Sequence, residues 1–335
     1  MIRSKILLIL AMALLGLACG GDGSANSGGA NTLPPGPGVM TFTPLELPQV
    51  ADLEALGAMN PVGHTIPTDH VYFYYADPNH RPWPVLPVVA PGTGKVIWIL
   101  ATPGLPDQKV QVQMTGNFSY YLDHVVLDST IQVGTTITAG QRVGQTGSGS
   151  AAVDLGVLYS AITLTGFVNP ARYGETVHAD SPFKYFAEPL KTQIYAKVRR
   201  SGPDKDGKID YDVRGRLIGN WFHESVVVAD SMGPSAWPKQ VAFCPDDHEP
   251  TQPRVSIGGF CGFVGLWSPR PGDPDPASVS VASGRVAFHL GVGTGTGGAL
   301  MIIQMLDDTR IRLQVFPGSA PDSTTFDANA LIYIR

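Results

Sequence analysis

Short runs of β-branched and aromatic residues recur along almost the whole chain, and each is stopped by Pro, Gly or Asp. That punctuation constrains the fold more than any single motif, because a strand of this length buries apolar surface only by pairing with neighbours. Between 62 and 159 the runs are Val71–Tyr75, Val85–Val89, Lys95–Leu100, Lys109–Met114, Phe118–Leu127 and Ala152–Tyr159. Lys109–Met114 alternates apolar and polar, which predicts a half-exposed strand, whereas the continuous Ile97–Leu100 predicts a buried one. With 39 Gly and 29 Pro among 335 residues, the composition favours turns between strands over long helices.

Beyond Asn169-Pro170 the texture changes. Asp180-Ser-Pro182 is a helix-start signal, and Leu190, Ile194 and Val198 recur at helical spacing, predicting one bridging helix over 188–199. A further helical turn is expected at Asp52–Leu56. After the turn-rich Ser201–Gly207, strand-like runs return at 209–222, 225–229, 240–243, 255–257, 279–281, 286–290, 300–306, 310–316 and 330–334. So many strands at short spacing predict a closed or sandwiched β-domain. Asp204-Lys-Asp206-Gly207 lacks the outer ligands of a calcium loop and reads as a polar turn. The run Gly291–Gly298 has no following helix to receive a pyrophosphate and reads as a loop.

The first residues read as a targeting segment. Arg3 and Lys5 precede an apolar run, Ile6–Leu17, too short to span a bilayer. Leu15-Gly-Leu-Ala-Cys19 resembles a bacterial lipobox, which implies lipidation of Cys19; cleavage near Ala18 by an ordinary secretory route is the alternative. A Gly/Ser/Asn/Pro-rich tether follows. Export makes a disulfide between Cys244 and Cys261 the expected use of the remaining thiols. A net charge of −5 without a basic block excludes nucleic acid as the expected partner.

The stretch Val133-Gly-Thr-Thr-Ile-Thr-Ala-Gly-Gln-Arg-Val-Gly-Gln-Thr-Gly147 resembles the run that leads into the metal-binding His-x-His of lysostaphin-type (LytM-like) zinc endopeptidases. The resemblance covers about a third of the chain. It implies a mainly β fold: a small LytM-like β-sandwich of the duplicated hybrid motif type, then a second antiparallel β-barrel or sandwich, with one bridging helix. The expected divisions are a lipoprotein signal at 1–19, a tether at 20–38, the LytM-like domain at 39–180, a helical bridge and linker at 181–207, and a C-terminal β-domain at 208–335.

Carried over residue by residue, the family's site is incomplete. His64 and Asp69, with His70 beside them, stand for the first metal pair, at a spacing of five instead of four. Tyr120-Tyr-Leu-Asp-His124 resembles the stretch bearing the middle catalytic His. Asp154-Leu-Gly156 stands where His-Leu-His would be, so Asp154 replaces an assisting His and Gly156 replaces a zinc ligand. A hydrolytic zinc needs three protein ligands and an open position. No cofactor is therefore expected; zinc at His64, Asp69 and His70, with His124 and Asp154 as catalytic remnants, belongs to the alternative. Gly219-Asn-Trp221 also resembles the Gly-x-Trp of lipocalin-like barrels, in which a late Arg such as Arg335 or Arg312 would cap the Trp.

Three functions follow as expectations. The first is a non-catalytic, lipid-anchored cell-envelope protein, at an outer-membrane, periplasmic or surface face, whose groove binds cell-wall peptide or an envelope protein. The second is an active metal-dependent peptidoglycan endopeptidase with a rearranged site. The third is a lipocalin-like carrier of a small ligand.

Overall fold

In a computed structural model the described residues are 33–293, 298–318 and 320–335. Cys19, the signal segment and most of the tether lie outside them, as do residues 294–297 of the glycine run. The described residues belong to one compact unit and are mainly β, with a single α-helix and two antiparallel sheets among them.

The first sheet contains β1 (Asp52–Glu54), β2 (His70–Tyr74), β3 (Pro87–Val89), β4 (Gly94–Ala101), β5 (Gln108–Thr115), β6 (Phe118–Leu127), β7 (Thr136–Ile137), β8 (Arg142–Thr146), β9 (Ala152–Tyr159) and β10 (Ala179–Asp180). Its strands run in the order β1-β2-β9-β6-β5-β4-β7, with β3 joined through β8 to β6 and β10 paired with β9. Alternation sends Val110, Val112, Tyr120, Leu122, Val153, Leu155 and Val157 into the core, while the facing residues look into a groove. Leu33–Gly38, the described end of the expected tether, is docked: Gly36 N–H donates to Asn117 Oδ1 at 2.9 Å, and Thr115 Oγ1 donates to the Gly36 carbonyl at 2.6 Å.

The second sheet contains β11 (Gly219–His223), β12 (Gln240–Pro245), β13 (Pro253–Gly258), β14 (Val264–Ser268), β15 (Arg285–Leu290), β16 (Val292–Gly293), β17 (Ala299–Met305), β18 (Arg310–Pro317) and β19 (Leu331–Ile334). The path β15-β17-β18-β19-β11-β12-β13-β14-β16 begins and ends on strands separated only by Gly291. Taking β15 and β16 as one bent strand, the sheet curls nearly into an up-and-down barrel, its ends joined where Trp267 and Ser268 of β14 pair with Gly293 and Val292 of β16. Trp221, Phe243, Trp267, Phe288, Met301 and Tyr333 fill its interior. The outer faces of β11 and β12 are buried too, since Phe222, Ala242 and Cys244 join the core of the first sheet.

Several sequence expectations are corrected. Asp52–Leu56 is not helical: Asp52–Glu54 is β1, held antiparallel to β2. The bridging helix is only α1 (Leu190–Tyr195). Its axis is not continued because Leu53 N–H donates to the Lys197 carbonyl and Arg199 N–H to the Leu53 carbonyl, which draws the chain onto the edge of β1. Asp180-Ser-Pro182 starts a single 3₁₀ turn, Pro182–Tyr185. In β4, Ile97, Trp98 and Leu100 are exposed although the run is continuous, because this strand lies toward the outside of its sheet. Of 209–222 only the end is strand, and 225–229 and 279–281 are not strands.

Cys244 and Cys261 are free thiols, contrary to the expected disulfide. Cys244 lies opposite Arg254 near the far end of the β12–β13 hairpin and faces the core shared with the first sheet. Cys261 lies past Gly258, at the other end, and packs on the barrel interior. Opposite ends and opposite faces put the two beyond the roughly 7 Å Cα separation a bridge tolerates.

Candidate functional site

The site is built on three neighbouring strands. Register places His70 of β2, Gly156 of β9 and Tyr121 of β6 in one row, and Tyr72, Asp154 and Asp123 in the next but one. Residues opposite one another in a sheet share a face, so His70 and Tyr121 flank the bare Gly156. A Cβ on Gly156 would lie 2.1 Å from Tyr121 Cζ. The tyrosine ring therefore occupies the space that a side chain at position 156 would need.

The Tyr121 hydroxyl donates to Asp69 Oδ1 at 2.6 Å and lies 3.3 Å from His70 Nδ1. Thr176 Oγ1 donates to the other Asp69 oxygen at 2.8 Å. Lys109 Nζ sits 3.8 Å from the centroid of the Tyr121 ring. His70 is held on both sides: Nδ1 is 3.1 Å from Asp69 Oδ1, while Nε2 is 3.1 Å from the Tyr72 hydroxyl and 3.4 Å from Asp154 Oδ2.

His124 reaches the same face by a backbone irregularity. Between Gln108 and Val110 of β5 the register on β6 advances from Val125 to Leu122, which leaves an extra residue at Asp123–His124. His124 takes φ +61°, the left-handed region that non-glycine residues seldom enter. A bulge of this kind re-aims a side chain. Here it brings His124 Nε2 to 3.5 Å from Asp154 Oδ2, with Nδ1 3.5 Å from Asp107 Oδ2. Asp107 is fully buried and accepts from Ser148 N–H at 2.9 Å and Gly149 N–H at 2.7 Å.

The sequence-predicted residues thus converge. Asp69, His70, Asp154, His124 and Asp107 form an alternating chain of carboxylate and imidazole. His64 stands beside it, its ring centroid 5.4 Å from that of His70, on a loop whose main chain pairs with Asn60. Burial would lower the basicity of His70, but the Asp154 charge and the hydrogen bond to Asp69 outweigh it and raise its pKa. Burial and the neighbouring His70 push His64 down to about 3. Burial would lift Asp69, yet its bond to His70 holds it well below the usual carboxylate range. Asp154 is pushed up by burial, against the pull of His70 and His124.

Zinc does not fit this arrangement. His70 meets Asp69 and Asp154 through opposite ring nitrogens, so neither nitrogen is shared by both carboxylates. His64, Asp69 and His70 are not among the described residues whose donor atoms converge as a set of three. Position 156 supplies no ligand, and Tyr121 covers it. The sequence reading missed Tyr121, Lys109, Asp107 and Thr176. Only Tyr121 left a trace, in the same Tyr120–His124 stretch that marks His124.

Beside Tyr121 and Asp69 runs a groove of about 650 Å³, lined among others by Trp98, Lys109, Gln111, Glu175 and Thr176. A smaller cavity of about 250 Å³ adjoins His64 and His70, and Met232, Trp237 and Gln240 from the C-terminal part line its far wall. Thr65 Oγ1, 2.9 Å from the Trp237 carbonyl, fastens that wall to the His64 loop.

No family model and no curated protein matches the chain. Among solved structures it is similar to Csd3 of Helicobacter pylori, at 15% identity and a TM-score of 0.31 over 45% of this chain and 35% of that one. It is also similar to a zinc-containing peptidase from Vibrio cholerae, at 14% identity and a TM-score of 0.27 over 36% of this chain and 37% of that one. Lysostaphin is a third, at 11% identity and a TM-score of 0.27 over 85% of this chain and 90% of that one. The chain spans little more than a third of the length of the first two. With scores this low, what the site does is decided by its own geometry.

Proposed function

We propose that the first β-domain is a LytM-like scaffold that binds peptide without cleaving it, in an exported protein held at the cell envelope through Cys19. One observation carries this reading: Tyr121 lies over Gly156, where a metal-ligating side chain would have to stand. Without that ligand, and with His70 and His124 tied to carboxylates, no metal-bound hydroxide is available to attack an amide.

The groove that remains suits a peptide. Trp98 offers an exposed aromatic surface, Lys109 a cation, and Gln111 and Thr176 hydrogen-bonding groups. Cell-wall peptide, which carries free carboxylates and extended backbone, is the ligand class proposed; a segment of an envelope protein is the other source of the same chemistry. The carrier reading finds less support, because large side chains fill the barrel interior.

The test pairs metal analysis with pull-down on purified peptidoglycan. The expected result is retention on peptidoglycan that Trp98→Ala and Lys109→Ala weaken, with no solubilisation of the wall under any divalent metal. Stoichiometric zinc that disappears on His64→Ala, together with released wall fragments, would sink the proposal.

A further inference from the structure

A second cluster of ionisable side chains lies away from the groove, where the first sheet meets the barrel. Glu54 ends β1, and Asp247 and His248 occupy the turn between β12 and β13. Each offers one donor atom, and these atoms lie within 4.8 Å of one another. His248 Nε2 is 3.4 Å from Asp247 Oδ2 and 3.8 Å from Glu54 Oε2.

Those separations are long for N–H···O hydrogen bonds, which centre near about 2.9 Å. They are close to the spacing of donors around a shared ion, since ligands about 2.1 Å from a tetrahedral zinc stand about 3.4 Å apart. Asp247 is buried, with 8% of its surface exposed, and its Oδ2 has no hydrogen-bond partner; neither has the buried His248 Nε2. Two buried polar atoms 3.4 Å apart, neither with a hydrogen-bond partner, are costly unless something satisfies them.

Charge points the same way. Two carboxylates are brought together in a largely buried place, with one imidazole between them. The neighbouring charges are engaged elsewhere, Arg199 with Asp52 at 3.4 Å and Asp246 with Arg254 at 3.2 Å. The turn is also fixed in advance: Arg200 Nη1 donates to the Asp247 carbonyl and Ser201 N–H to the His248 carbonyl, both at 2.7 Å.

We propose that Glu54, Asp247 and His248 form a divalent metal site, of zinc type by its donor set, that ties the edge of the first sheet to the β12–β13 turn. One imidazole and two carboxylates suit zinc and leave a coordination position for water. The proposal does not depend on the function of the groove.

The experiment strips the full protein with a chelator and titrates it with Zn²⁺, following stoichiometry and thermal unfolding. One equivalent is expected, with a rise in Tm of about 5 °C at a free-ion level near a hundred times Kd. Asp247→Asn and His248→Gln should lose that rise, whereas His64→Ala keeps it. X-ray absorption of the zinc-loaded wild type needs no variant, and should show oxygen donors with a single imidazole. Absence of a bound equivalent in the wild type would mean that Glu54 and Asp247 merely share a proton, and would overturn the site. So would two or more imidazoles around the zinc, or binding lost in His64→Ala and kept in His248→Gln.

Discussion

Gly156 and Tyr121 decide the character of the groove between them. A histidine at 156 would drive its Cβ into the Tyr121 ring, so Gly156→His is expected to destabilise by about 3 kcal/mol in urea unfolding. Adding Tyr121→Ala should recover at least half of that loss, and independent, additive effects would show that the ring is not the obstacle. His70 and the neighbouring His64 have opposite pH signatures. His70, with its folded pKa raised, contributes stability that is complete below about pH 6.5 and is lost as pH rises through the folded value. His64 is kept neutral when folded, with its pKa near 3, so the unfolded chain takes up the extra proton first. Stability should fall between about pH 6.5 and about 3 on its account. Unfolding free energy measured against pH is expected to lose its acid-side slope in His64→Gln and its alkaline-side slope in His70→Gln. The family resemblance pointed to His64, Asp69, His70, His124 and Asp154, which the structure gathers, but it gave Tyr121 no role. Nothing in a linear sequence says that a tyrosine on β6 lies opposite a glycine on β9.

At the level of elements, most strands were legible because alternation and Gly/Pro punctuation act within a few residues. The failures came where distant main chain competes. The helical period through Val198 ends early because β1 captures the backbone at Lys197 and Arg199. Ile97–Leu100 reads as buried, yet it is exposed because nothing further packs over that face of β4. The barrel shows the reverse case, in which a short motif was informative. Arg335 stacks on Trp221 at 3.8 Å, as the Gly219-Asn-Trp221 resemblance implied, while Arg312 lies over Phe326. Arg335 also donates to the carbonyls of Val213 and Leu217 at 2.9 and 3.0 Å, and to that of Ile218, closing the end of the barrel. Arg335→Ala is expected to cost about 3 kcal/mol, and Arg335→Lys should recover only part, because an ammonium lacks the planar fork that reaches several carbonyls. Equal stabilities for the Lys variant and the wild type would contradict that account.

For the molecule as a whole, the barrel keeps its own interior core while its outer wall joins the core of the first sheet. Phe222, Ala242 and Cys244 of the barrel wall are buried among residues of the first sheet, and Arg172 of the connecting segment lies over Phe222 at 4.9 Å and donates to Ser231 Oγ at 2.9 Å. Residues 33–335 are therefore expected to unfold in a single calorimetric transition, with calorimetric and van't Hoff enthalpies equal. Two separated transitions would show the halves to be independent. The sequence by itself determined the class of the fold, because pairing short amphipathic strands is the one way to bury their apolar faces, and it determined that position 156 has no side chain to give a metal. Only the tertiary structure decided what those facts amount to. Register across β2, β9 and β6 put Tyr121 over Gly156, a bulge turned His124 toward Asp154, and the docking of the barrel on β1 brought Glu54 to Asp247 and His248. Each is a contact between residues far apart in the chain, and such contacts are set by how whole sheets pack, not by any local pattern.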